Sequence, residues 1–125
     1  MATPLELSST QSDIEDSPEA AFQFMIDNGW SDGLPVIPPT AERVQAMLDY
    51  AQRDASELVG YINPDAGSAT VEKIAVNAVM AGCLPEYMPV LIAAVEAITE
   101  PAFNIHGLQT TTNPVSPLLI INGPV

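Results

Sequence analysis

Apolar residues recur at helical spacing in four stretches of the chain, each with a recognisable start or stop. Ser17 offers an N-cap and Pro18 a first helical position, and Phe22, Met25 and Ile26 then share one face until Asn28-Gly29 supplies the stop. Thr40 caps a second helix in which Val44, Met47, Leu48 and Ala51 line one side and Asp49 can pair with Arg53 at i,i+4. From Thr70 to Ala81 the spacing of Val71, Ile74, Ala75, Ala78 and Val79 is again helical. After a break at Gly82 a further helix runs to about Thr99, with Met88, Leu91, Ile92, Val95 and Ile98 on its stripe. Between the first two helices lies WSDGLPVIPPT, residues 30–40, whose three prolines rule out regular structure.

Outside these helices the period changes. Residues 57–62, ELVGYI, fit a short strand, and the NPDAGS that follows is a cluster of turn formers. FNIHGLQTTTN reads as a loop or short strand, and the LLII run in PVSPLLIINGPV as a buried strand. A buried strand at a chain terminus, with only weak candidates to pair with, implies partner strands from another polypeptide or from a continuation of this one. The expected class is therefore α+β or α/β, with about four helices and a C-terminal buried strand completing a sheet with a partner chain. Residues 1–16 are polar, acidic and without period and read as a flexible arm. Residues 17–125 form a single helix-rich domain, part of a larger heteromeric fold.

Composition sharpens this picture. At 125 residues and 47% hydrophobic, the chain can bury the core of one domain. Only 15% of its residues are charged, against roughly a quarter in an ordinary soluble domain, so part of the surface is expected to be covered. Three Lys and Arg stand against 16 Asp and Glu, a formal net charge of -13. Such a chain repels phosphate backbones and anionic lipid, which excludes nucleic-acid and membrane-surface roles. One cysteine makes no intrachain disulfide, and MATPLELSSTQSDIEDS has neither the basic start nor the apolar core of a signal peptide. The longest apolar stretches, such as MPVLIAAVEAI, reach about half of the roughly 20 residues a bilayer needs. A reduced, cytoplasmic setting is the expectation.

The single cysteine lies in NAVMAGCLPEYMPV. If Cys83 stands at or just before the N-terminus of the helix that holds Pro85 and Glu86, unpaired N–H groups and the helix dipole would stabilise a thiolate. Glu86 would oppose this unless turned away as a capping partner. The alternative is a small core residue. Lys73 and Asn77 share a face at i,i+4, and an amide flanked by Ala-Val on both sides fits a hydrogen bond to a loop or ligand. The alternative makes Glu72 and Lys73 solvated surface and Asn77 a tie to a neighbouring backbone.

His106, the only histidine, precedes Gln109 and the small polar run Thr110–Asn113. Such a loop could line a polar pocket with His106 as general acid or base, or His106 is an ordinary surface or capping group. Asp32 is either a catalytic carboxylate or part of an ordinary Ser31-Asp32-Gly33 turn, with Trp30 stapling that turn onto the first helix. One Cys and one His without CxxC or HExxH spacing fall below the usual zinc pattern unless a partner chain completes it. There is no Gly-rich phosphate loop and no GxSxG elbow, so metal and cofactor stay unassigned.

Three segments, GWSDGLPVIPPT, TVEKIAVNAVMAGCLPEYMPV and FNIHGLQTTTNPVSPLLIINGP, together resemble a poorly characterised bacterial family found among or beside UGSC-type (seleno)proteins. The resemblance spans roughly residues 29–124, and the UGSC motif itself is not present. It implies a sequence that continues past the NGP segment into a Gly- and Asn-rich region of comparable size, which here is absent, cleaved off or supplied as a second subunit. It also marks Asp32, Lys73, Asn77, Cys83, Glu86, Tyr87, His106 and Gln109 as motif positions.

The combined expectation is a subunit of a heteromeric enzyme acting on a small organic substrate in a lyase, hydratase or hydrolase step. Its site would lie near Cys83, where the GC-P-E-Y turn and the HGLQTTTN loop converge, and would be shared with a second protein subunit. Cys83 would be the nucleophile or thiolate, His106 or Glu86 would move protons, and Lys73, Asn77, Tyr87, Gln109 and Asp32 would hold the substrate. The alternatives are a thiol redox subunit and a non-catalytic structural subunit.

Overall fold

The computed structural model describes residues 7–123. Among them are five α-helices: α1 (Pro18–Asp27), α2 (Ala41–Ala51), α3 (Val71–Met80), α4 (Met88–Thr99) and α5 (Ile105–Thr110). A two-stranded antiparallel sheet, β1 (Leu58–Ile62) and β2 (Gly67–Thr70), stands between α2 and α3 in sequence, and 3-10 turns occupy Pro85–Tyr87 and Pro101–Phe103. The class is α+β.

Local chemistry accounts for the helix starts. Ser17, Thr40 and Thr70 have extended backbones, and their hydroxyl oxygens accept the N–H of Ala20, Arg43 and Lys73 respectively. The stops of α1 and α3 are twins. After α1, Gly29 takes φ 68°, its N–H reaches Ile26 O at 2.9 Å and Trp30 N–H reaches Met25 O at 2.8 Å. After α3, Gly82 takes φ 78°, and the N–H groups of Gly82 and Cys83 reach Val79 O and Ala78 O, both at 2.9 Å. Both are Schellman-type caps, in which glycine adopts the left-handed backbone without a Cβ clash and the next residue turns back onto the helix. Trp30 does this by meeting Phe24 edge-on, with ring centroids 5.6 Å apart, which is the staple read from the sequence.

Helices α2, α3 and α4 pack on one another around Val44, Met47, Leu48, Val71, Ala75, Ala78, Val79, Met88 and Ile92. The apolar stripes expected in α2 and α3 are the faces they bury. Helix α1 adds Ala21 and Met25, while Phe22 and Ile26 stay more than a third exposed. The hairpin lies against α4, and Gly60 marks the closest approach: a Cβ there would fall 2.5 Å from Thr99 Oγ1.

Several expectations give way. The LLII run is neither strand nor buried within this chain: Leu118, Leu119, Ile120 and Ile121 are all more than half exposed. A strand needs backbone partners, and the only sheet among the described residues is the hairpin, which pairs Leu58 with Thr70 through Ile62 with Gly67 and leaves the tail aside. FNIHGLQTTTN is a loop at its end, residues 111–113, but its middle, Ile105–Thr110, forms the short helix α5. Asn104, left-handed at φ 56°, accepts Gly107 N–H at 3.3 Å and starts a turn anchored by buried Ile105.

Arg53 pairs with Glu57 at 2.6 Å and Glu96 at 2.7 Å rather than with Asp49. Gln52 ends α2 in a left-handed conformation, φ 52°, which takes Arg53 off the helix face, and Asp49 accepts from Gln45 at 2.7 Å instead. Held by Glu57 first and Glu96 second, the Arg53 guanidinium is pushed above its ordinary range, and the same contact draws Glu57 down. Glu72 is no surface residue, for it is 2% exposed.

Candidate functional site

Cys83 sits at the second residue of the glycine cap that ends α3, half-buried against the core. One residue further on, Leu84 stands as N-cap of the 3-10 turn Pro85–Tyr87 that leads into α4. The backbone of Cys83 therefore belongs to the end of α3, and its side chain makes the apolar contact such a cap calls for. Glu86 and Tyr87 are exposed on the 3-10 turn.

His106 and Gln109 are exposed on α5, where the His106 carbonyl accepts the Thr110 hydroxyl at 2.9 Å. Helix α4 separates this pair from Cys83. Its twelve residues, at about 1.5 Å rise each, put about 18 Å between the two ends. The path bends by 68° between Pro85–Thr99 and Pro101–Thr110, which carries α5 onward rather than back along α4. The chain by itself does not bring the GC-P-E-Y turn and the HGLQTTTN segment into one pocket.

The neighbour of the cysteine turn is the proline segment instead. Ile37 N–H bonds Met80 O at 3.2 Å, and Ile37 Cγ1 lies 3.9 Å from where a Cβ on Gly82 would stand. Two of the three sequence motifs thus share one surface, and Ile37, Leu84 and Tyr87 stay exposed there. Asp32 shapes its own turn: its Oδ1 accepts Leu34 N–H at 3.1 Å, beside a Ser31 hydroxyl that donates to Leu34 O at 2.7 Å.

Lys73 turns toward the hairpin, its Nζ donating to Ser68 Oγ at 2.7 Å and Ser68 O at 3.1 Å. Asn77 Nδ2 donates to Lys73 O at 2.8 Å, which leaves its Oδ1 to accept. Asn77 also faces a groove of about 610 Å³ bounded by the arm, by Phe24 and Trp30, by Pro38 and by Val76 and Met80 of α3. Of the eight positions marked from sequence, this groove contains Asn77 alone.

The group that sequence reasoning missed is Glu72. Its Oε2 accepts Ser8 N–H at 3.0 Å and the Ser8 hydroxyl at 2.8 Å, and its Oε1 accepts Ser9 N–H at 2.8 Å and the Ser9 hydroxyl. Burial alone would raise this carboxyl, but the four donated bonds outweigh it and hold it below the ordinary glutamate value. Sequence reasoning leaves Glu72 as solvated surface, because its partners Ser8 and Ser9 lie far away along the chain and give no local signal.

Among the described residues no three His, Cys, Asp or Glu side chains converge as metal ligands, and no single helix is long and apolar enough to cross a membrane. Comparison with protein-family models, characterised proteins and solved structures finds no match for this chain. The geometry around Cys83 supports its own test. Cys83→Ala should lower the free energy of unfolding by about 1 kcal/mol, the loss of one half-covered side chain, as read from the urea midpoint. A loss of about 3 kcal/mol or more would contradict the spacer geometry.

Proposed function

We propose that this chain is an assembly subunit of a heteromeric enzyme, and that its 116–123 segment pairs as a strand with the sheet of a second subunit. The supporting observation is the tail. Among the described residues 116–123 no backbone hydrogen bond forms, and Leu118 and Ile120 are 84% and 86% exposed. Unpaired N–H and C=O groups alongside uncovered aliphatic side chains are what an edge strand offers to a sheet. Each Leu or Ile fully covered by a partner contributes about 1.5–3 kcal/mol. The motif resemblance, which implies a continuation past the NGP segment, favours the same reading.

The lyase, hydratase or hydrolase chemistry then belongs to the complex, with the partner supplying what Cys83 or His106 lacks. A second reading, that this chain is a non-catalytic structural subunit, draws support from the placement of Cys83 and His106 at opposite ends of α4, where neither serves the other as proton donor or acceptor.

Full-length tagged chain purified from its source cells should carry one stoichiometric second polypeptide by native mass spectrometry. Amides of residues 118–122 should exchange about a hundredfold slower in that complex than in the isolated chain. The Leu118→Asp/Ile120→Asp variant changes exposed positions only and should lose the partner. A wild-type chain that runs alone at 13.2 kDa, with freely exchanging tail amides, overturns the assembly reading. Turnover by the complex that survives both Cys83→Ala and His106→Ala assigns the chemistry to the partner.

A further inference from the structure

The groove beside α3 differs from the rest of the molecule in charge. Sixteen carboxylates and three cations are spread along the chain, yet among the described residues none that lines this cavity of about 610 Å³ is charged. Its walls are Phe24 and Trp30 at the end of α1, Pro38 from the proline segment, and Val76 and Met80 on α3, with Asn77 among them. Trp30 remains 54% exposed at its edge.

One wall is the arm itself, through Leu7, Ser9–Ser12 and Ile14. Among the described residues, 10–14 make no hydrogen bond to any helix, and the arm's polar attachment is the pair Ser8 and Ser9 on Glu72. That attachment is unusual for a buried carboxylate because, among the described residues, no cation takes part. Each oxygen receives one N–H and one O–H, and the nearest element's guanidinium, Arg53, is committed to Glu57 and Glu96.

We propose that this cavity binds an uncharged, largely apolar small molecule carrying a hydrogen-bond donor, and that the arm is a strap fastened along one side by the Glu72 latch. Among the described residues an anion would meet no cation in the walls and a strongly negative chain around them, and a cation would find no carboxylate there to pair with. A neutral ligand loses nothing on either count. The volume lies within the range of about 300–1,000 Å³ usual for small-ligand sites, where a few polar groups fix orientation among apolar walls. Asn77 Oδ1 is an acceptor available for that purpose, one of the two amide N–H groups beside it being taken by Lys73 O. The inference stands apart from the assembly reading: the tail takes no part in it.

The test uses a matched pair of dyes on the full chain, N-phenyl-1-naphthylamine and its sulfonate, 1-anilinonaphthalene-8-sulfonate. Trp30 is the only tryptophan, so quenching of its emission by energy transfer reports a dye in the groove. The neutral dye should bind saturably at one to one, and the sulfonate about tenfold or more weaker. Ala41→Glu places a charge in the groove at the exposed first residue of α2, where a carboxylate suits the helix start. It should weaken the neutral dye about tenfold. Ser8→Ala/Ser9→Ala, which removes two of the four latch bonds, should speed dye release about threefold.

Absent saturation, equal affinity for the two dyes, or an Ala41→Glu variant that binds like wild type overturns the site. Unchanged release from the serine double variant overturns the strap. Concentration-dependent dimers that exclude the dye would place a second copy's segment in the groove and overturn the small-molecule assignment.

Discussion

Gly60→Ala should lower the free energy of unfolding by about 3 kcal/mol or more, because the methyl it adds has no room. A Cβ on Gly60 would stand 2.5 Å from Thr99 Oγ1 and 2.8 Å from both Thr99 Cβ and Cγ2. The threonine cannot swing aside without losing contacts of its own, since its hydroxyl donates to Val95 O at 2.8 Å within α4. Either β1 or α4 has to move, and α4 also carries Met88 and Ile92 into the core.

The clash can be relieved from the other side, which makes the origin of the loss checkable. Thr99→Ala keeps the Cβ and should recover part of the stability; Thr99→Gly removes it and should recover most, less about 1 kcal/mol for a glycine in a helix. Urea unfolding of the two double variants measures this order. A Gly60→Ala chain as stable as wild type would mean that the hairpin does not lie on α4.

The second large effect is at Glu72. Glu72→Leu puts an apolar side chain of similar size in the buried position but takes away the acceptor of four donors, and should cost about 2 kcal/mol at neutral pH, limited by the ability of Ser8 and Ser9 to turn to water. The pH dependence gives the sharper test. The folded carboxyl is held below its ordinary value of 4.5, so unfolding takes up a proton. The contribution is complete above the unfolded value and drains away as pH falls through the lower folded one.

Wild type and Glu72→Leu should therefore differ most at neutral pH and converge as the pH falls below 4.5 and through the lower folded value. The other charged groups around this depression, Asp49, Arg53 and Asp54, are common to both chains and cancel in the difference. Asp54, lowered mainly by the Ser56 hydroxyl and then by its N–H, keeps both of those partners in the variant. A stability difference that stays constant from pH 7 to pH 3 would show that the serines do not depend on the ionised carboxylate.

The helices were legible because their signals are local. Ser17, Thr40 and Thr70 each sit three residues before the N–H they cap, and Gly29 and Gly82 each follow the last helical turn directly. The apolar stripes of α2 and α3 needed only helical spacing to read. What escaped was set at a distance or by a single backbone angle. β2, Gly67–Thr70, has no apolar alternation and exists as the return leg of β1. Helix α5 depends on Asn104 adopting φ 56°, an angle a threonine-rich sequence does not announce.

The site shows the same divide. Asn77 lies in the groove wall and makes the tie to neighbouring backbone that was the alternative reading, its amide donating to Lys73 O. Lys73, marked on the same face, has a chain long enough to reach Ser68 instead. The convergence imagined for Cys83 and His106 depended on the direction taken after Glu100, which periodicity leaves open. Glu72 was beyond reach for a plainer reason: its partners lie 64 and 63 residues away, in a polar stretch with no period.

The twin caps set a standard for the cysteine. Position 30 and position 83 have one geometric duty, to follow a left-handed glycine and lay an apolar side chain on the turn just ended. Tryptophan and cysteine differ about as much in size as two side chains can, so the duty itself is permissive. Across sequences sharing these motifs, a position bound only by that duty would drift freely among alanine, valine, leucine and methionine. A thiol kept at 83 while 30 wanders would be kept for its sulfur.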